Sequence, residues 1–572
     1  MAMSSSATSQ TASDPRALDE AVSLLRERAV EFAATPPIAR AALLRECIGR
    51  LLEVAPAWVT DGCRAKGLPP AGSAEEWLAG PVPTIRTARL LVDSLEAIAE
   101  HGRPPLGRGV RHGHGGRLLI DLFPASTFDR VLFAGFQAYA LMEEGVDRAG
   151  AIRRQAQLYQ HKNRASGVAL VLGAGNVSSI PPLDVLTKMF NQGFVCLLKM
   201  NPVNEWVGPH LERALQPLIQ RGYLRVVYGG ADVGKYLVEH DGVDDIHITG
   251  SDRTHDLIVW GPPGPERDKR MADNAPLLEK PISSELGNVS PVAIVPYHYS
   301  DAELWFQARN VVTMVTNNAS FNCNAAKLLI TSRDWAQRQQ FLSMVARGLG
   351  QVPTRRAYYP GAFDRYRQLT DGRDLERIGR ADDDHLPWTM VRNVDAADKD
   401  DPIFSTEPFC SILSETCVGS ADPVEFLGAV TRFLDDELWG TLNAALIIHP
   451  KCEGDAAVGA AMDRAIRELR YGTVAINHWP ALGYALGTTP WGGHPSANLR
   501  NIQSGIGWVH NTFMLDGIDK AVLRGPLRVW PHPVWFYDHH RAQEVGPRLA
   551  AFEADPAWRR LPGLVLQAVR AG

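Results

Sequence analysis

The stretch NNASFNCNAAKLL, Asn317 to Leu329, sets four asparagines around a single cysteine and runs straight into an apolar segment. A thiol in a loop between a helix and a strand is how a nucleophile is presented, whereas a buried cysteine would act as a small apolar residue. Neutral amides do not lower a thiol pKa as a histidine or lysine does. They suit another task, donating hydrogen bonds to an oxyanion that forms on an attacked carbonyl. Cys323 is the candidate nucleophile. In SSELGNVSPVAIV, Glu285 stands beside a glycine ahead of a buried-looking strand. A carboxylate against apolar surface suits a general base; a helix cap or a surface glutamate is the alternative.

Further candidates sit where strands end. GAGNVSSIPP, Gly173 to Pro182, carries Asn176 in a glycine-rich turn that lets backbone approach a ligand, although it is no G-x-G-x-x-G fingerprint. Lys199 closes the apolar run before MNPVNE, at the carboxyl edge where a doubly wound sheet binds its ligand. The glycine turn at Gly230 leads into a helix, and Gly250 and Ser251 open another directly after a strand. A helix start in that position accepts anions such as a pyrophosphate.

Short apolar runs alternate with amphipathic helices from Gly167 onward. Strands are predicted at 168–172, 194–198, 224–228, 245–248 and 292–295, with helices between them, which means a parallel sheet with crossovers. A helix at 303–316, strands at 327–331, 444–448 and 473–476 and three further helices predict a second α/β unit. The region 15–100 reads as helical, and GRGVRHGHGGRLLIDLF as a loop or hairpin. His112 and His114 in it lack a carboxylate or cysteine neighbour in sequence, so no metal is expected. The charged stretches around 354–400 read as surface excursions, and the Pro-, Trp- and His-rich tail after Trp508 has no legible role.

The 59 basic and 64 acidic side chains are interspersed, which gives no footprint for nucleic acid or anionic lipid. The partner expected is a small molecule. Seven cysteines without a C-x-x-C pair suggest neither a disulfide framework nor a thiolate zinc site. The first stretch lacks the pattern of a signal peptide and no window suits a membrane span, so a soluble cytoplasmic protein is expected.

Taken in order, these segments resemble the aldehyde dehydrogenase superfamily over roughly 167–507, as a divergent member. The resemblance rests on Asn176, Lys199, TGS at Thr249 to Ser251, ELGNVSP at Glu285 to Pro291, Cys323, EPF at Glu407 to Phe409 and the later PWGGHPSANLRNIQSGIG. It implies an α/β protein with two doubly wound α/β domains and a small oligomerisation element. The polar composition of 1–15 reads as disordered, and the resemblance gives a helical lead-in at 16–110 belonging to the cofactor domain. A hairpin and helix connection that could serve oligomerisation follows at 111–165. A Rossmann-like cofactor domain at 166–300, a catalytic domain at 301–510 and an extension at 511–572 complete the partition.

The resemblance also implies roles. Cys323 attacks an aldehyde carbon, and Asn176 with the Cys323 backbone amide holds the oxyanion. Hydride leaves for NAD or NADP, and Glu285 activates the water that hydrolyses the thioester. Lys199 and Glu407 bind the two riboses, Gly250 and Ser251 meet the pyrophosphate, and Gly230 and Phe409 complete the cofactor site. A homodimer or homotetramer is the implied assembly. Departures from the family pattern are Ser320 and Asn288 in place of glycines, an extra GPPGPERDKRMAD segment, and Pro202 where a ribose-binding glutamate is common. The last leaves NADP as plausible as NAD. An acyl-CoA or acyl-thioester reductase of the same fold is the first alternative, although Glu285 counts against it. A non-catalytic ligand-binding or scaffold protein is the second, against which Cys323, Glu285 and Asn176 together argue.

Overall fold

Continuous runs such as VALVL, VCLLK, LLIT and TVAI are rich in branched apolar side chains and suit strands buried on both faces. The protein is described here by a computed structural model covering residues 10–161 and 166–570. The first half forms β1 (Gly109–Gly113), β2 (Arg117–Phe123), β3 (Gln137–Met142), β4 (Val168–Leu172), β5 (Val195–Lys199), β6 (Leu224–Val227), β7 (Asp245–Gly250) and β8 (Ile282–Leu286). The second forms β9 (Pro291–Ile294), β10 (Leu328–Thr331), β11 (Leu375–Ile378), β12 (Trp388–Val394), β13 (Ile412–Cys417), β14 (Asn443–Ile447), β15 (Thr473–Ile476) and β16 (Ile518–Arg524).

These strands make two sheets. The smaller runs β6-β5-β4-β7-β8 and is parallel throughout. The larger has a parallel centre of β16-β15-β14-β9-β10-β13-β12, closed by antiparallel β11 on one side and by β3, β2 and β1 on the other. Having entered the smaller sheet between β3 and β4, the chain returns to the larger one through the motif ELGNVSP, where β8 ends at Leu286 and β9 begins at Pro291. One short stretch is thereby fixed by both sheets at once. The glycine-rich run near 505 covers the free edge of β8, with the Ser284 and Leu286 amides donating to the Ile506 and Ser504 carbonyls at 2.9 Å. Gly505 adopts φ +104°, and a Cβ there would collide with the Ser284 carbonyl. Only glycine meets both demands.

The amphipathic helices Pro15–Ala34, Pro37–Lys66 and Pro81–His101 share one core with the smaller sheet, in which Phe32, Leu44, Trp58 and Ile85 meet Leu170 and Leu197. Residues 1–9 lie outside the described residues; Ser13 already pairs with Tyr228 through N–H to carbonyl (3.1 Å) and through its hydroxyl, which accepts the Tyr228 N–H (3.2 Å). The region 354–400 is not a surface excursion throughout. Its exposed turn at 380–385 leads into β12, whose Trp388 and Met390 are buried within the larger sheet. Charge in the flanks masked a strand that satisfies its backbone between two neighbours.

The tail has an architectural role that its composition hid. After β16, helix Ala542–Ala554 packs on helix Pro81–His101, and its buried Glu553 pairs with Arg86 (2.8 Å) and Arg89 (2.6 Å). Arg86 also reaches Asp129 at 3.0 Å. Burial alone would raise the Glu553 pKa, but the two guanidiniums hold it below the usual carboxylate range. A carboxylate depressed in the folded state stabilises it fully above its unfolded pKa of about 4.3, and that stability is lost as pH falls below this value. Glu553→Gln, which leaves two buried guanidiniums short of a counter-charge, is expected to destabilise by about 3–5 kcal/mol. Thermal melting at neutral pH should show a lower Tm for the variant, and the gap should close on acidification.

Candidate active site

The parallel strands of the smaller sheet end in a cavity of about 1260 Å³. Lining it are Asn176 after β4, Lys199 at the end of β5, Gly230 after β6, Gly250 and Ser251 after β7, and Glu285 on β8. From the larger unit come Cys323, Glu407 and Phe409. The nine residues proposed from the sequence for catalysis and cofactor binding thus meet at one cleft.

The nucleophile loop follows helix Asp301–Thr316 and is held in a strained form. Asn318, Ala319 and Ser320 have φ of 52°, 54° and 68°, the left-handed region that costs a non-glycine residue about 1–2 kcal/mol. Amides hold this turn in place. Asn318 Nδ2 lies within hydrogen-bond distance of the carbonyls of Asn176 (3.0 Å) and Phe321 (3.1 Å) and of Asn322 Oδ1 (3.0 Å). Asn322 Nδ2 donates to Asn317 Oδ1 at 2.9 Å. Glu75, from the short helix Ser73–Ala79, accepts the Asn318 N–H at 3.0 Å, and the Tyr358 hydroxyl donates to Asn318 Oδ1 at 2.9 Å. The Asn176 side chain donates to the Phe321 carbonyl at 2.9 Å, and a primary amide has a second N–H to offer the cavity. The Cys323 backbone N–H has no partner among the described residues. Asn176 and Cys323 line the same cavity, so both donors belong to residues that an oxyanion site there could use.

The thiol of Cys323 donates to Glu285 Oε1 at 3.5 Å. Burial pushes the Glu285 carboxyl up to about 8, with the Asp184 charge adding to it. Burial likewise raises the Cys323 thiol well above its ordinary value; the Glu285 charge works in the same direction and Lys327 opposes it. A base poised near neutrality beside a thiol is an arrangement for covalent acyl chemistry.

Lys327 is the residue that sequence reasoning missed. Its ammonium is buried and reaches the carbonyls of Asn288 (3.2 Å), Asn322 (3.0 Å) and Cys323 (3.0 Å) and Glu407 Oε1 at 2.6 Å. It therefore joins the nucleophile loop, the ELGNVSP crossing and the EPF segment. Its signal was a lysine opening an otherwise apolar strand, the same logic by which Lys199 was noticed at a strand's end. Asn288, in place of a glycine, accepts from Ser290 Oγ (2.8 Å) and Asn443 Nδ2 (3.2 Å), and Ser290 also donates to the Cys323 carbonyl at 2.8 Å.

The remaining candidates suit a nucleotide. Ser251 caps helix Asp252–Trp260 through the Thr254 N–H (3.2 Å), and Gly250 beside it is exposed, so this helix start faces the cavity. Burial lowers the Lys199 ammonium, opposed by Asp232 and Glu205. The Glu407 carboxyl, raised by burial and held down by Lys327, packs on Gly287, where any Cβ would overlap it. Phe409 stands edge-on to Tyr359 at 4.9 Å and joins Phe321 in an aromatic wall. The extra GPPGPERDKRMAD segment forms helix Pro265–Asp273 on the surface. Among the described residues no group of histidine, cysteine, aspartate and glutamate side chains could hold a metal, and no helix is long and apolar enough to cross a membrane. His114 instead contacts Asp463 (2.6 Å) and the Tyr139 hydroxyl (2.5 Å). Trp479 and Trp491 are core residues.

Residues 131–355 match the model of the aldehyde dehydrogenase family. The fold is similar to that of aldehyde dehydrogenase C from Pseudomonas syringae, solved as a mutant complexed with NAD+ and octanal (TM-score 0.59, 16% identity, covering 91% of each chain). It is similar to glyceraldehyde-3-phosphate dehydrogenase from Methanocaldococcus jannaschii complexed with NADP (TM-score 0.58, 14% identity, 90% of this chain and 96% of that one). It is also similar to the aldehyde dehydrogenase KauB from Pseudomonas aeruginosa (TM-score 0.58, 18% identity, 90% of each). No curated protein matches by sequence.

Because Gly287 leaves room for the Glu407 carboxylate, Gly287→Ala is expected to push that group off Lys327 and to cost about 1–3 kcal/mol, as overpacking does. Thermal unfolding should register the loss as a lower Tm, and an unchanged Tm would show that Glu407 has somewhere else to go.

Proposed function

We propose that this chain, a divergent member of the aldehyde dehydrogenase superfamily, oxidises an aldehyde to a carboxylic acid with NAD or NADP through a thiohemiacetal and a thioester on Cys323. The observation that carries the reading is the Cys323 Sγ to Glu285 Oε1 contact of 3.5 Å at the floor of the cavity into which the strands open. Neighbouring structures that hold NAD+ or NADP support the choice of cofactor.

The cofactor's place would be along the strand ends. Its pyrophosphate would lie at Gly250 and Ser251, its riboses at Lys199 and Glu407, and its remaining surface against Gly230 and Phe409. When bound, the nicotinamide supplies the hydride acceptor. The chain's own residues do the rest. Cys323 gives its thiol proton to Glu285, which passes it to solvent, the thiolate adds to the aldehyde carbon, and the oxyanion is met by Asn176 Nδ2 and the Cys323 N–H. Once the carbon is oxidised to a thioester, Glu285 takes a proton from water as the water adds. The C–S bond breaks, Cys323 leaves as thiolate, and the acid is released. Lys327, bound to the Cys323 carbonyl, offsets the negative charge that the site carries when thiolate and carboxylate are both present.

Cys323→Ala is expected to abolish NAD(P)H production from a panel of aldehydes while cofactor binding, read by fluorescence, is retained; undiminished turnover would remove Cys323 as nucleophile. Glu285→Gln is expected to accumulate an acyl-enzyme visible by intact mass. Since only the carboxylate can accept the proton, hydrolysis in the native enzyme should fall as pH drops below about 8. Turnover that requires coenzyme A would overturn the hydrolytic reading.

A further inference from the structure

A general base that is 2% exposed cannot hand its proton directly to bulk water, yet it must do so once per turnover. The register of β7 and β8 supplies a route. Thr249 pairs with Glu285 and, one rung back on the same face, His247 pairs with Ser283. Asp184, fully buried on helix Ile180–Leu186, covers both rungs. Its Oδ2 accepts the Thr249 hydroxyl at 2.9 Å and its Oδ1 lies 3.5 Å from His247 Nε2. His247 Nε2 is also 3.3 Å from Thr249 Oγ1, and His247 Nδ1 is 2.9 Å from Ser283 Oγ. Ser283 is partly exposed, so the ladder runs from the catalytic carboxyl to the protein surface.

The inner end of this ladder is polar and unpaired. Glu285 Oε2, Asp184 Oδ1 and His510 Nε2 are buried with no hydrogen-bond partner among the described residues. The Trp491 indole stands near enough to Glu285 to oppose part of the rise that burial causes. Buried polar atoms in such a group are normally bridged by water. Asp184 is close enough for its charge to act on Glu285, His510 and Tyr484 alike. The ionisable groups that face it are Glu285 on β8, His247 on β7, Tyr484 and His510, while Cys323 and Glu407 act on Glu285 from the cavity side.

We propose that Asp184, Thr249, His247 and Ser283 form the proton-exit path of Glu285, a proposal that rests on the reading of Glu285 as the base. During thioester hydrolysis one proton of the attacking water goes to Glu285, its oxygen bonds to the acyl carbon and the C–S bond breaks. The proton then passes from Glu285 Oε2 through a bridging water to the Asp184 and His247 pair. His247 takes it at Nε2 and releases its other ring proton from Nδ1 toward Ser283 and solvent. The imidazole ends in its other tautomer and returns by exchange with water. These four are positioning and relay groups rather than groups that touch the substrate.

The test uses p-nitrophenyl acetate, which acylates a reactive thiol without any cofactor. The burst of p-nitrophenolate reports acylation of Cys323, and the steady rate reports hydrolysis of the acetyl-enzyme. Asp184→Asn and His247→Gln are expected to keep the burst and to slow the steady rate about tenfold or more, as loss of a proton-transfer group does. The steady rate of both variants should climb with imidazole buffer concentration at fixed pH and ionic strength, while the native rate stays flat. Steady rates within about twofold of native, or a loss that imidazole does not restore, would overturn the relay, since a structural role has no buffer dependence. Glu285→Gln separates the two ideas. A burst without steady turnover upholds the base and leaves the relay to stand or fall on the other variants, whereas native turnover in Glu285→Gln removes the base itself.

Discussion

Two acidic groups 3.5 Å apart in a water-poor pocket cannot both ionise without help, and the surroundings of Cys323 and Glu285 are organised around that constraint. Burial raises both groups; the Glu285 charge raises the thiol further, while the thiol's hydrogen bond pulls the carboxyl back down, so the pair titrates as a unit rather than as two independent residues. The nearest fixed positive charge is Lys327, whose ammonium is divided among three carbonyls and the Glu407 carboxylate. A lysine held in this manner lowers the energy of a thiolate without forming an ion pair with it, which would blunt the nucleophile.

Keeping the thiol in register requires a loop that most sequences would not adopt. The left-handed turn at Asn318, Ala319 and Ser320 stores backbone strain, and side-chain amides with Glu75 and Tyr358 hold it there. The asparagines around the cysteine therefore act chiefly on the backbone. Asn176, by contrast, has a donor left for the cavity while its own carbonyl braces the loop. Strain held by a rigid frame is a common feature of functional sites.

The frame itself depends on the crossing ELGNVSP. Because β8 belongs to one sheet and β9 to the other, Glu285 is fixed with the strand ends that line the cavity while Asn288 and Ser290 are tied to the Cys323 carbonyl. Distant segments tighten this joint. The glycine run at 504–507 completes the edge of β8, and the C-terminal helix, through Glu553, binds the helix that carries Arg86 and Arg89.

Local pattern was enough to read the alternating strands and helices and to single out Cys323, Glu285 and Lys199, which line one cavity, because burial on both faces writes continuous apolar runs and chemistry needs specific residue types at their ends. The helices 15–101 and the hairpin of β1 and β2 were legible on the same ground. Other features had no local signal. Asp184, His247 and Asn443 look like ordinary residues in sequence, and only the register of two sheets and a crossing helix brings them to Cys323 and Glu285. The charged flanks hid β12, and the tail's place beside Arg86 depends on a partner more than four hundred residues away. Sequence determines what each segment can do, since propensity and side-chain chemistry are local. Which segments meet is decided by strand register and core packing, which are properties of the whole chain.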